Sequence, residues 1–277
     1  MRHSGSIPPS FRLPVLDLRS YNRAVFPPRS ATRSAFTLIE LVVVIGIIVV
    51  LTVLVAPAFT NIKRATDITS AAYTIKGVLE QARNYALTNN TYAWVGFFEE
   101  DGSIASNSPA TAGMGRVVIS AVASKDGTIA YKQPVVSPVT PMDSARLVRV
   151  TKLLRLDNVH LRTFPNGSGS GSDTFPTRPP IPGNLADNAK IGDTSPPDSL
   201  RPFQYPIEGS STPAQYTFSK VIEFSPRGEC RVNNNNYTVR PVIEVGFQPV
   251  RGAVLDNSKN CAVQLTGFGG NIKIYQP

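Results

Sequence analysis

The spacing of apolar and polar positions changes twice along this chain. Residues 36–56 read FTLIELVVVIGIIVVLTVLVA, 21 residues in which Glu40 is the one charge. As a helix this run is about 31 Å long, enough to cross the hydrocarbon core of a bilayer. From 61 onward apolar residues recur at steps of three and four: Ile62, Ala65, Ile68, Ala72, Ile75, Leu79, Ala82 and Ala86. Lys63, Asp67, Ser70, Thr74, Gln81 and Asn84 fall on other faces, so the pattern predicts an amphipathic helix. Lys76 and Glu80 are spaced for an i,i+4 ion pair. Asn89-Asn90 ends the run. Pro57 is expected to kink, rather than end, a single helix running from about 36 to 90.

Beyond Asn90 the period shifts toward two. Candidate strands are 91–98, 116–123, 128–132, 146–156, 220–224, 238–246, 262–266 and 272–275, with turns at Asp101-Gly102 and Asp126-Gly127. The expected fold class is therefore α+β: a long N-terminal membrane-spanning helix continuing into an amphipathic helix, packed on a mainly antiparallel β head. The expected division is a leader at 1–35, the spanning half of the helix at 36–57, its amphipathic half at 58–90, and an exported head at 91–277. Segment 165–213 stands apart: of its 49 residues ten are Pro, six Gly and seven Ser. Such a composition buries too little apolar surface to offset its ordering entropy, so it predicts an exposed insertion.

Composition adjusts this picture only modestly. Apolar residues make up 42% of the 277, an ordinary globular share that argues against wholesale disorder. The formal charge is +9, but residues 1–35 hold six arginines against Asp17, so more than half of it belongs to the leader. Arg29 and Arg33 stand just before the apolar run. By the positive-inside rule they keep the N-terminus cytoplasmic and the head outside, as a single-pass protein of the inner membrane.

A carboxylate inside such a run costs roughly 3 kcal/mol on insertion scales, so Glu40 needs a reason. Ala35-Phe36-Thr37-Leu38-Ile39-Glu40 resembles the cleavage and methylation site of type IV prepilins. The resemblance implies that prepilin peptidase cuts between Ala35 and Phe36 and that Phe36 becomes N-methylated. It also implies that Glu40, fifth in the mature chain, sets subunit register during assembly with other pilin or pseudopilin subunits. The family usually has Gly before the cut, where this chain has Ala35. Pro57 falls where pilins commonly carry a proline. The stretch LEQARNYALTNNTYAWVGF at 79–97 resembles the H-type minor pseudopilins of type II secretion and related fimbrial minor pilins. VIEFSPRGECRV at 221–232 is similar to their Phe-x-Pro-x-Gly segment. The Verru_Chthon cassette protein D family is another group the chain resembles. A pilin-like filament subunit is the reading this implies. An ordinary signal peptide, cut after Ala56-Pro57-Ala58 to release a soluble or singly anchored β-rich binding protein, stays open beside it.

No catalytic constellation emerges, and the expectation is a protein that is not an enzyme and takes no cofactor. His160 is the one histidine beyond the leader, where His3 lies, and it reads as a surface or packing residue. Cys230 and Cys261, with so distant a histidine, do not form a zinc pattern, although export would permit a disulfide between them. Gly267-Phe268-Gly269-Gly270 reads as a hairpin turn, lacking the lysine of a phosphate loop. Glu99-Glu100-Asp101-Gly102 reads as a solvated turn without the oxygen spacing of an EF-hand; major pseudopilins use a calcium loop. Arg146, Arg149, Lys152 and Arg155 are the best basic patch, but strand spacing splits them between faces, so nucleic-acid binding of the DNA-uptake kind is disfavoured. Intact mass and N-terminal sequencing of the mature protein are expected to show methylated Phe36 as the first residue; a chain starting at Phe59 instead marks the signal-peptide alternative.

Overall fold

The computed structural model describes residues 37–128, 140–165, 178–181, 189–194, 201–207, 213–232, 239–252 and 254–276, with backbone alone for 54–66 and 258. Its elements are α1 (Leu38–Thr88), β1 (Ala93–Asp101), β2 (Gly115–Ser124), β3 (Leu147–Arg149), β4 (Leu154–Asp157), β5 (Val159–Leu161), β6 (Lys190–Ile191) and β7 (Phe203–Tyr205), then β8 (Tyr216–Phe218), β9 (Lys220–Phe224), β10 (Cys230–Val232), β11 (Val242–Arg251), β12 (Val254–Leu255), β13 (Cys261–Thr266) and β14 (Ile272–Tyr275). The chain divides into two compact units, 1–52 and 53–277.

The expected fold class is corrected on its central point. Among the described residues strand outweighs helix, 38% against 24%. Among the described residues no helix is long and apolar enough to cross a membrane. The strands of two six-stranded sheets and one two-stranded sheet outweigh α1 among the described residues. The predicted leader, and residues 129–132 of the strand expected at 128–132, lie outside the described residues.

Within the larger unit, α1 buries Ile68, Ala71, Ala72, Ile75, Val78, Leu79, Ala82 and Ala86. Steps of three and four put them on one stripe, and its alanines let strands approach closely. The stripe meets Ala93, Val95 and Phe97 of β1, Val117 and Ile119 of β2, and Ile222 and Phe224 of β9. It also meets Ile243, Val245 and Phe247 of β11 with Val263 and Leu265 of β13. Burying Ile75 or Leu79 contributes roughly 1.5–3 kcal/mol each. Asn90, at φ 47, ends the helix. Thr91 N–H donates to Ala86 O at 3.0 Å and Asn90 N–H to Leu87 O at 3.4 Å, a Schellman closure with Asn in the left-handed position.

Two six-stranded sheets pack on that helix. The first runs β10-β9-β1-β2-β3, with β4 also paired to β2. The second runs β12-β11-β13-β14, with β5 and β6 also on β11. Among the described residues every pairing is antiparallel except β6 with β11. Alternate residues of β1 and β2 point away from the helix, where Trp94, Val118 and Val122 join Met142, Leu147, Phe203, Tyr216 and Phe218 in a second apolar cluster. The two-stranded sheet β7-β8 forms part of that cover. Gly96 makes it fit, since a Cβ there would meet Phe218 and Phe203.

Several boundaries differ from expectation. β1 continues through Glu99-Glu100-Asp101, so the expected turn there begins only at Gly102. The single strand expected at 146–156 is broken. Val150 and Thr151 both donate to Ala121 O, so two residues oppose one and the ladder bulges between β3 and β4. Segment 165–213 is not wholly exposed: its described parts supply β6 and β7 and the buried residues Arg178, Ile181, Phe203 and Ile207. The turn at 267–270 joins β13 to β14 as a hairpin. Where Gly246 lies on β11, an added Cβ would collide with Arg162 O and the Phe164 ring. Gly246→Ala is therefore expected to cost about 1–3 kcal/mol, read from the urea midpoint.

Candidate functional site

The first candidate is the start of α1. Thr37 precedes the helix, and its Oγ1 accepts from Glu40 N–H at 3.3 Å and donates to Glu40 Oε2 at 3.4 Å. Leu41 N–H donates to Thr37 O at 3.2 Å. Thr37-x-x-Glu40 is thus a capping-box pattern, with an acid at the positive end of the helix dipole. Among the described residues Glu40 Oε1 has no partner. The signal is present in the sequence as Thr followed three residues later by Glu, but the apolar run beside it points toward the membrane instead.

Beyond the cap the helix is apolar and uncovered. Every residue from 37 to 53 is exposed. The large apolar side chains of 38–53 are between 43% and 81% accessible, without a bare face or a buried one. A helix apolar all round is built to be enclosed, and a patch of this extent marks an interaction surface.

The second candidate lies in the head, where buried charges gather. His160 on β5 places Nδ1 2.7 Å from Glu99 Oε1, while its Nε2 stands 3.8 Å from Asp193 Oδ2. Burial disfavours the imidazolium, but the Asp193 carboxylate and the hydrogen-bonded Glu99 carboxylate outweigh it and raise the histidine to about 9. Burial likewise opposes the Asp193 carboxylate, yet His160 and the Thr163 and Thr194 N–H groups hold it below the usual range. Nearby, Arg116 pairs with Asp157 and, at 3.1 Å, with buried Glu100, which also accepts from Tyr216 Oη and Ser106 Oγ. Arg178 is fully buried and donates to Glu244 Oε2 at 2.7 Å, which Gln264 also reaches at 2.8 Å. Trp94 Nε1 donates to Glu223, whose carboxyl is raised by burial. These groups pair across strands and loops, and among the described residues no group of three metal-binding side chains is assembled.

The residues singled out from sequence fare differently. Ala35 and Phe36 lie outside the described residues. His160 is a buried ion-paired residue. Glu99 and Glu100, expected in a solvated turn, are strand residues with cationic partners. Of the basic patch, Arg146 pairs with Asp126 at 2.8 Å and Arg155 stands 3.8 Å from Glu100, so the four cations do not form one free stripe. Cys230 and Cys261 are free buried thiols, and the disulfide that export would permit is not formed. Cys230 Sγ lies 3.5 Å from Thr266 O, at the far end of the strand that Cys261 begins. Five residues of strand separate those ends by about 17 Å, beyond the reach of a disulfide. Burial pushes both thiols up to about 12. Asp193 and Arg178 carry no signal in the sequence, because their partners lie 33 and 66 residues away.

Comparisons with protein-family models, with curated proteins and with solved structures returned no match to this chain.

The His160 cluster makes a pH prediction. Because its folded value of about 9 exceeds the ordinary 6.5, the stabilisation is complete below about pH 6.5 and lost as pH rises through 9. Unfolding free energies from urea titration should fall over that window by on the order of 2–3 kcal/mol, and His160→Gln should flatten the fall.

Proposed function

We propose that the chain is a structural subunit, of minor pilin or pseudopilin kind, in a type IV pilus-like or type II secretion filament. The observation that carries this reading is the uncovered apolar stretch at 38–53 behind the Thr37–Glu40 cap. A surface of that size, apolar on every side, requires several neighbours to enclose it rather than one. The prepilin-like junction Ala35-Phe36 with Glu40 fifth after it supports the same reading. On this proposal prepilin peptidase processes the chain, its apolar segment rests at the inner membrane before assembly, and the β head is exported. The other filament subunits are its partners. The head serves as a folded body and performs no reaction.

Glu40→Gln separates the roles of that side chain. Glutamine at the same position still completes a capping box, so the helix start survives while the charge is removed. Incorporation into filaments, measured by co-purification with the other subunits, is expected to fall several-fold, with cleavage at Phe36 unchanged. Wild-type incorporation by Glu40→Gln, together with a mature chain starting at Phe59, overturns the proposal in favour of an exported binding protein.

A further inference from the structure

Gln248 is the least explained polar residue of the head. It sits in β11 with none of its surface accessible, and among the described residues neither its Oε1 nor its Nε2 has a hydrogen-bond partner. An amide stranded this way carries the full desolvation penalty of each unmet group. Directly opposite in the antiparallel ladder is His160, so the two side chains share one face of the sheet. His160 Nε2 in turn falls short of its partner, standing 3.8 Å from Asp193 Oδ2. That separation is too long for a direct hydrogen bond and leaves room for a third group to join the two.

From this juxtaposition we infer an internal hydration site: one ordered water bound by Gln248, His160 Nε2 and Asp193 Oδ2, joining β11, β5 and the loop after β6. Nothing in it depends on the filament role. A buried water needs two to four polar partners, and these three residues supply that number. Charge decides for water over an ion. The groups facing the histidine are Glu99 from β1, which also accepts from Gly115 N–H at 3.3 Å, and Asp193 from its loop. Against them stand His160 itself and Arg162, 4.0 Å from Asp193 Oδ2. Lys220 Nζ approaches from β9, 3.3 Å from Asp193 O. The two carboxylates are already answered by cations, so a metal ion would enter against Arg162 and Lys220, and an anion against Glu99 and Asp193. A neutral molecule that both donates and accepts meets neither penalty.

The test uses the full chain in mild detergent. Nuclear Overhauser contacts between a long-lived water and the Gln248 side-chain amide are expected in the wild type. Gln248→Met, close in volume but unable to hydrogen-bond, should lower Tm by about 2–4 °C, because it strands the bridge between His160 and Asp193. A raised Tm in Gln248→Met, or no long-lived water in the wild type, overturns the inference, since the glutamine is then simply an unmet group. A zinc-dependent rise in wild-type Tm that disappears in Asp193→Asn also overturns it, by making the site one for a cation. If Gln248→Met does not fold, the wild-type contacts decide alone.

Discussion

The stripe of α1 from Ile68 to Ala86 is the constraint on which the head depends. Both sheets place their apolar faces against it, and neither could bury that face alone. Its alanines matter as much as Ile75 and Leu79, since Ala71, Ala72, Ala82 and Ala86 hold the strands at the distance where the larger side chains interdigitate. Other features derive from that packing. β1 and β2 are pressed on one side by the helix and on the other by the cluster around Trp94, so they read as continuous apolar runs. The second sheet carries Glu244 and Gln264 on its outer face and covers them with the Arg178 ion pair and the glutamine's amide contact.

How much of this is legible in the sequence depends on how far apart the interacting residues lie. The helical stripe is legible because its period is local. So are β9, Lys220–Phe224, and β14, Ile272–Tyr275, short apolar runs whose bounds agree with expectation. The closing Asn89-Asn90 is legible for the same reason. The acidic end of β1 is not. Glu99 and Glu100 look like a solvated turn until His160 and Arg116, 61 and 16 residues away, are brought beside them. The bulge opposite Ala121 is equally hidden, since nothing in 146–156 marks where two residues must oppose one.

Segment 165–213 shows where composition misleads. Its proline, glycine and serine content argues for an exposed arm, and averaged over the whole segment that argument is sound. Individual residues escape it. Phe203 and Ile207 enter the second apolar cluster, and Arg178 reaches Glu244 from within a proline-rich setting. A few anchors suffice to seat a chain whose mean character is that of a linker, because burial is decided residue by residue. The start of α1 carries the complementary lesson. Its apolar run reads as a membrane span, whereas the feature seen at its first turn is a cap.

The junction between α1 and β1 has a mechanical consequence. Only residues 89–92 separate the last helical residue from the first strand residue, and the Schellman closure at Asn90 leaves them no slack. Tension along the helix therefore reaches β1 through this short junction as well as the two sheets through the packed stripe. That strand is flanked on one side by β2 and on the other by β9, so it is loaded in shear, with rows of hydrogen bonds on both edges sharing the force. A body wired in this way resists being pulled apart far better than one whose helix enters through an edge strand, where bonds would open one at a time.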